Sequence, residues 1–305
     1  MTFKVLLFGS NGQLGSACRR HWANSDFELI ALDRGGADFS DPRAVDNAVQ
    51  KYRPDFVVNA CAYTAVDKAE SDAEAAFQVN GDSVGRLASA CASLDIPVLH
   101  VSTDYVFDGR GTRPYLEDDA VDPQGVYGAS KLEGEKRLQA GNPRHIILRT
   151  SWVFGEDGNN FVKTMLRLGR EREELGVVAD QTGCPTYTGE LAEVILELVQ
   201  CYRQEGDLPW GIYHCSSAGV CTWYDFALEI FAQGAAAGLL SKQPKVNRLT
   251  TAQYPTPASR PAYSVMDCSK LEALLGRHLS LWQMGLGKVI GYLAAGIDGS
   301  RRAPG

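Results

Sequence analysis

The sequence predicts an α/β protein built on a doubly wound parallel sheet, with a smaller C-terminal α/β region attached. Three observations carry that expectation. Over the first 150 residues short apolar runs alternate regularly with stretches of helical spacing, a glycine-rich turn follows the first run directly, and the rhythm breaks down after Ser151. Strand, helix, strand repeated in this way produces a parallel sheet covered on both faces, because crossovers between parallel strands are right-handed.

The expected strands are residues 3–8, 27–33, 55–60, 97–102 and 145–150, all near-continuous apolar runs of the kind buried on both faces. Between them residues 73–93 and 130–139 have the clearest helical spacing. Beyond Ser151, residues 160–172, 188–204 and 222–233 read as helices, the last opened by Thr222 and Asp225 at the spacing of a capping box. Residues 249–263 hold three prolines and read as a loop, and residues 296–305 as a frayed tail. The division expected is 1–150 for the first domain and 151–295 for a second region interleaved with it.

Composition bounds the function. With 45% hydrophobic and 22% charged residues the chain is an ordinary globular one, and a formal net charge of −7 disfavours nucleic acid or an anionic membrane as partner. The N-terminus lacks a basic segment followed by a long apolar one, and no apolar run reaches the length of a membrane span, so the expected location is the cytoplasm. The eight cysteines (18, 61, 91, 184, 201, 215, 221 and 268) are scattered, without C-x-x-C pairs or histidines at ligand spacing. They read as incidental thiols, and no metal is expected.

Gly9-Ser10-Asn11-Gly12-Gln13-Leu14-Gly15 lies between the first strand and a helix. Glycines there permit a sharp turn, close approach of backbone to a pyrophosphate, and tight helix–strand packing, while the helix start offers free N–H groups and positive potential. This is the Rossmann form of the doubly wound sheet, and it implies a dinucleotide. Asp33, closing the second strand, can accept hydrogen bonds from ribose hydroxyls and favours NAD(H). Arg34 follows it and could hold a 2′-phosphate, favouring NADP(H), so either NADPH or NADH remains open. Asp38-Phe39-Ser40 are candidates for the adenine.

Tyr127 and Lys131 are four residues apart, and on a helix they share a face. A neighbouring ammonium lowers a phenol pKa from about 10 toward working pH, which makes tyrosine a proton donor to a developing alkoxide. The fourth strand ends in Ser102-Thr103-Asp104-Tyr105. In open parallel sheets ligands bind beyond the strands' carboxyl ends, so a Thr103 hydroxyl there can donate to a substrate carbonyl oxygen as it gains charge. Whether Ser102 or Thr103 does so depends on strand phase. Asn59 to Tyr63 ends the third strand with small residues that let the chain pass close to a cofactor, whereas Asn80, mid-helix, is assigned no role by its position.

The chain resembles the extended short-chain dehydrogenase/reductases, in the branch acting on nucleotide-linked 4-keto sugars. The resemblance rests on FGSNGQLG at 8–15, NACAYTAVDKAES at 59–71, VSTDYVFDG at 101–109, YGASKLEGE at 127–135, LRTSWVFG at 148–155, GCPTY at 183–187 and TPASRPAYS at 256–264. It implies NAD(P)H-dependent reduction of the 4-keto group of dTDP-4-dehydro-L-rhamnose to dTDP-L-rhamnose. It further implies Tyr127 as proton donor, Lys131 as the partner that lowers its pKa, and Thr103 with Asp104 holding the sugar. Val66, Tyr105 and Trp152 fall at substrate positions, and Arg260 toward the nucleotide end. Gly9, Asn11, Gly12, Gln13, Leu14, Gly15, Asp38, Phe39, Ala60, Ala62, Tyr63 and Lys131 fall at the cofactor. Some relatives dimerise through magnesium on acidic side chains, one of them in the first helix. Here that stretch reads Ser16-Ala17-Cys18, although Glu190 and Glu193 remain, so a monomer or weak homodimer is expected. The alternatives are a non-catalytic NADP-binding regulatory subunit of the methionine adenosyltransferase type, or another nucleotide-sugar reductase or epimerase. Intact Thr103, Tyr127 and Lys131 favour an enzyme, and Tyr105 stands where dehydratases carry a glutamate.

Overall fold

The structure, a computed structural model, describes residues 2–296, so the expected tail lies outside the described residues from position 297 onward. The first half runs β1 (Lys4–Phe8), α1 (Gln13–His21), β2 (Glu28–Leu32), α2 (Pro42–Tyr52), β3 (Phe56–Asn59), α3 (Val66–Ala69), α4 (Ala73–Phe77), α5 (Ser83–Ala92), β4 (Val98–Thr103), α6 (Val126–Gly141) and β5 (His145–Thr150). The second half runs β6 (Val153–Phe154), α7 (Phe161–Glu171), β7 (Glu174–Val178), β8 (Thr182–Gly183), β9 (Thr186–Tyr187), α8 (Thr188–Glu205), β10 (Gly211–His214), β11 (Cys221–Thr222), α9 (Trp223–Ala236), β12 (Lys245–Leu249), α10 (Ser269–Leu275) and α11 (Trp282–Ala294).

Six strands form one parallel sheet in the order β10-β5-β4-β3-β1-β2. Its inner strands are apolar throughout because both faces are covered: Val5 to Phe8 and Phe56 to Val58 have no exposed surface. On one face Ala17 and Cys18 of α1, and Trp22 just after it, pack with Leu191, Ile195 and Leu198 of α8. On the other lie Val45 and Val49 of α2, Val84, Leu87 and Cys91 of α5, and Leu138 of α6. The strand order reverses between β1 and β3, which opens a crevice beyond the carboxyl ends of the strands. A further core under the crevice joins Phe154, Met165, Phe226, Phe231, Trp282 and Leu286 of the C-terminal region. The chain beyond residue 150 also supplies the edge strand β10 and the helix α8 to the main sheet.

Two departures from the sequence reading bear on the site. The helix expected over 73–93 is interrupted by a π turn at Gln78–Asp82, which places Asn80 in a widened turn. Helix α6 starts four residues before its apolar periodicity, so Tyr127 and Lys131 both lie on it. Glu70 completes that start from a distance, its Oε1 accepting the Val126 N–H at 2.9 Å. The capping box at Thr222 and Asp225 forms as its spacing requires.

Helix α6 lies against its neighbours closer than a side chain would permit. A Cβ on Gly128 would stand 2.2 Å from the Tyr105 carbonyl oxygen, and one on Gly134 would stand 2.0 Å from that of Asn80. Arg149 of β5 holds Glu135 of α6 in a forked, buried ion pair at 3.0 and 2.7 Å, the two side chains 2% and 1% exposed. Removing one member strands the other charge in low dielectric, so Arg149→Ala is expected to cost about 3–5 kcal/mol of stability. Equilibrium urea unfolding measures it, and a midpoint equal to that of the unaltered protein would show that the pair is not what pins α6.

Candidate active site

The turn after β1 is shaped for a close-lying anion. Gly9 has φ +81°, where side chains are strained, and a Cβ there would meet the Ala60 carbonyl and the Cys61 nitrogen at 2.8 Å. A Cβ on Gly15 would stand 2.1 Å from the Gly9 carbonyl oxygen. Helix α1 then begins at Gly12 without any side-chain cap, so the N–H groups of Gln13, Leu14 and Gly15 face outward with the positive end of the helix. Both the cradle and the uncapped start fit the pyrophosphate of a dinucleotide.

Around the cradle, Asp33 accepts from Asn11 Nδ2 at 2.8 Å and from the Gly35 and Gly36 N–H groups at 3.0 and 3.1 Å, which fixes its carboxylate at the end of β2. Arg34 is exposed and pairs with Asp38 at 3.1 Å. Gln13 Oε1 accepts from Asn160 Nδ2 at 3.1 Å, tying the turn to the loop before α7. Phe39 differs from expectation. Its ring is 2% exposed and packs edge-on against Phe8 with centroids 5.2 Å apart, so it forms part of the core beneath the site and offers a ligand no open face. Tyr63, Ala62 and Ala60 line the chain leaving β3. Asn80 holds this segment from the π turn, accepting the Tyr63 N–H at 2.8 Å and donating to the Tyr63 carbonyl at 3.1 Å and to Ser130 Oγ of α6 at 3.0 Å. The asparagine to which sequence position gave no role thus clamps the loop after β3 to α6.

At the end of β4, strand phase selects Thr103. Its hydroxyl donates to Asp104 Oδ1 at 3.0 Å, accepts the Tyr105 N–H at 3.2 Å, and lies at the Tyr127 phenol. Ser102 Oγ is instead buried without a partner. Burial pushes the Tyr127 phenol well above the ordinary tyrosine range, the Thr103 hydroxyl working against the shift and Asp104 and Tyr105 adding to it. The hydrogen bonds of Lys131, the residue expected to lower this pKa, go to β4. Lys131 is 1% exposed, and its Nζ turns to the Val101 carbonyl at 2.7 Å and to His100 Nε2 at 3.2 Å. Desolvation lowers Lys131 to about 8, with Glu135 and Cys61 opposing.

Asp104 is 3% exposed, and its Oδ2 is sealed from solvent without a well-aligned partner, although the Ser264 hydroxyl is close by. Burial raises its carboxyl to about 6, offset in part by Ser264 and Thr103.

Next to this cluster opens a cavity of about 620 Å³ whose walls include Tyr105, Asp67, Trp152, Trp223, Gln181 and Arg260, a size that suits a small ligand. Arg260 is fixed at its rim, donating to Asp67 at 2.7 Å and to the Tyr105 hydroxyl at 3.2 Å. The Tyr105 ring in turn meets the Tyr127 ring edge-on at 5.5 Å. Trp152 adopts φ 45° and stacks on Trp223 at 3.6 Å, which gives the cavity an aromatic wall. The structure thus gathers Tyr105, Trp152 and Arg260 on one cavity, while Val66, at the start of α3, is not in its wall and its neighbour Asp67 is. Trp223 and His100 escaped the sequence reading. The first opens an amphipathic helix and the second sits in an apolar strand, so neither carried a local signal.

A phenol, a hydroxyl and an amine gathered beyond the carboxyl ends of a parallel sheet, beside a glycine-lined helix start, form the arrangement of the NAD(P)-dependent short-chain dehydrogenase/reductases. The chain belongs to the family described as the RmlD substrate binding domain, whose model matches residues 3–294. It is 43% identical to a dTDP-4-dehydrorhamnose reductase of Aggregatibacter actinomycetemcomitans over 95% of this chain and 99% of that one. Among solved structures, a dTDP-4-dehydrorhamnose reductase of Clostridium acetobutylicum is 40% identical with a TM-score of 0.88, covering 95% of this chain and 99% of its own. One from Bacillus anthracis, in complex with NADP, is 34% identical with a TM-score of 0.87 over the same shares.

Two consequences can be measured. Because the folded-state pKa of Asp104 lies above the unfolded value, its ionised form costs stability above about pH 6, and the cost disappears as pH falls toward about 4. Asp104→Asn is expected to be more stable than the unaltered protein by about 1–3 kcal/mol near pH 8, the advantage vanishing near pH 4. Urea unfolding at the two pH values checks this, and an advantage independent of pH would contradict it. At Gly183 a Cβ would come within 2.6 Å of the Trp152 ring and 2.8 Å of Ser264 Oγ. Gly183→Ala should therefore cost about 1–3 kcal/mol and disturb the tryptophan stack, visible as a changed near-ultraviolet circular dichroism spectrum.

Proposed function

We propose that this protein reduces the 4-keto group of dTDP-4-dehydro-L-rhamnose to give dTDP-L-rhamnose, using NADPH or NADH. The observation that carries the reading is the meeting of Thr103 and Tyr127 at the end of β4, beside the glycine cradle, in a chain of this family. The dinucleotide, when bound, supplies the hydride. Gly9, Asn11, Gly12 and the first-turn N–H groups of α1 would hold its pyrophosphate, with Asp33 and Arg34 at the adenosine end and Ala60, Ala62, Tyr63 and Lys131 toward the nicotinamide end.

The raised pKa of Tyr127 keeps its phenol protonated, which suits a group that must deliver a proton to the alkoxide formed at the sugar C4 oxygen. The Thr103 hydroxyl, drawn from Asp104 to the carbonyl oxygen as negative charge grows there, stabilises the same atom. Asp104, through the oxygen that accepts the Thr103 hydroxyl, holds that hydroxyl in place for the sugar. The cavity between Tyr105, Trp152, Trp223 and Arg260 takes the nucleotide end, with aromatic surface for a base and a guanidinium for phosphate. On this reading residues 1–150 serve the cofactor and 151–295 chiefly the substrate.

We place the protein in the cytosol as a monomer or weak homodimer. Among the described residues no helix is long and apolar enough to cross a membrane. Glu190 accepts from Ser217 Oγ at 3.1 Å and from the Ser280 N–H at 2.6 Å, and Glu193 pairs with His21 at 3.3 Å, so both carboxylates already have partners within the chain.

Mixing the protein with NADPH or NADH and dTDP-4-dehydrorhamnose should deplete the absorbance of the reduced nicotinamide. Tyr127→Phe is expected to lower kcat by about 10²–10⁴-fold while dinucleotide affinity stays nearly unchanged. Weakened dinucleotide binding with turnover preserved would sink the assigned role.

A further inference from the structure

Lys131 Nζ has two hydrogen-bond neighbours, and one of them decides its charge. One is the Val101 carbonyl at 2.7 Å, which accepts an N–H from Nζ in either charge state. The other is His100 Nε2 at 3.2 Å, and the direction of that contact depends on where His100 carries its hydrogen. Asn59, at the end of β3, decides the point. Its Oδ1 accepts the Cys61 backbone N–H at 3.0 Å, which turns its amide nitrogen toward His100 Nδ1, also at 3.0 Å. An amide nitrogen only donates, so Nδ1 must be the accepting nitrogen and the ring hydrogen must sit on Nε2, facing Lys131. An ammonium there would meet an N–H head-on, whereas an uncharged amine offers the lone pair that the N–H requires and keeps a hydrogen for Val101.

We propose that Asn59 and His100 are positioning residues that stabilise the uncharged form of Lys131: the carboxamide sets the tautomer of His100, and the His100 Nε2–H donates to the Lys131 amine. The inference deepens the reductase reading, on which the role of Lys131 rests, but the hydrogen-bond chain is a property of the protein without substrate. Desolvation at Nζ favours the amine and outweighs Glu135 and Cys61, which favour the ammonium. His100 has no exposed surface and, buried beside Lys131, is held neutral far below the ordinary histidine range. The Cys61 thiol is pushed up to about 11 and stays protonated. Glu135, the one carboxylate acting on Lys131, is committed to Arg149 by its fork. Tyr127, on the same helix, carries its proton.

Turned to His100 as an amine, Lys131 carries no charge that would lower the Tyr127 pKa, in keeping with a phenol that holds its proton.

The test is nuclear magnetic resonance on full-length protein carrying ¹⁵N-histidine and ¹⁵N-lysine, without dinucleotide or substrate, with His100→Gln and Lys131→Met used only to assign signals. The expected result is a neutral His100 with hydrogen on Nε2, and a Lys131 Nζ that loses its proton at or below about pH 8. A His100 with hydrogen on Nδ1, or a Lys131 titrating with the ordinary surface lysines, overturns the proposal. Asn59→Asp separates positioning from packing. A carboxylate accepts from Nδ1–H, moves the hydrogen off Nε2, and should raise the Lys131 titration by about one to two pH units together with the tautomer switch. An unchanged tautomer in a folded Asn59→Asp protein also overturns the proposal, and if that variant does not fold the two measurements on the unaltered protein still decide. Failure of the reductase assay would leave these signals untouched, so the two readings fail separately.

Discussion

The close approach of α6 to the ends of β4 and β5 is the constraint on which the site depends. Gly128 and Gly134 let the helix backbone lie directly on the Tyr105 and Asn80 carbonyls, and the buried Arg149–Glu135 fork holds it there. Tyr127 reaches Thr103 only because the helix is that close, and Lys131 reaches Val101 and His100 for the same reason. A burial this tight raises the energetic stakes of every polar group within it, since a charge or unpaired donor in low dielectric is costly.

That cost sets the chemistry. Burial drives the Tyr127 phenol and the Asp104 carboxyl toward their protonated forms and Lys131 toward its uncharged one. All three shifts favour neutrality, as desolvation demands. A site of this kind keeps its acid loaded with a proton and admits charge only where a reacting oxygen or a cofactor compensates it. The Asn80 clamp extends the same logic outward by joining the loop after β3 to α6, and the Asn59–His100 contact does so by joining β3 to β4, whose His100 meets Lys131 of α6.

The cavity beside Tyr105 and Arg260 is assembled differently. Its rim is a chain of contacts among residues far apart in sequence: Asp67 to Arg260, Arg260 to Tyr105, Tyr105 to Tyr127. Its aromatic wall needs a backbone angle at Trp152 that a tryptophan rarely adopts, stabilised by the stack on Trp223 and by the space left at Gly183. One side chain links the cavity to the cluster at the end of β4, since Tyr105 touches the guanidinium at the rim and the Tyr127 ring.

Much of this was legible in the chain itself. Near-continuous apolar runs marked the five strands of the first half, most strongly the inner ones, which are covered on both faces, and the glycines after β1 marked the cradle because the turn tolerates no Cβ. The spacing of Tyr127 and Lys131 put them on one helical face. What spacing could not reveal is which way Lys131 points. Shared helical faces bring side chains near each other, but the direction of a long flexible amine follows from the acceptors and donors that other strands present to it. His100 lies in an apolar strand, Asn59 at the end of another, and Trp223 at the start of a distant helix. Their parts in the site were decided only by tertiary contact, because hydrogen-bond direction, tautomer and desolvation are properties of a packed environment and have no counterpart in local sequence.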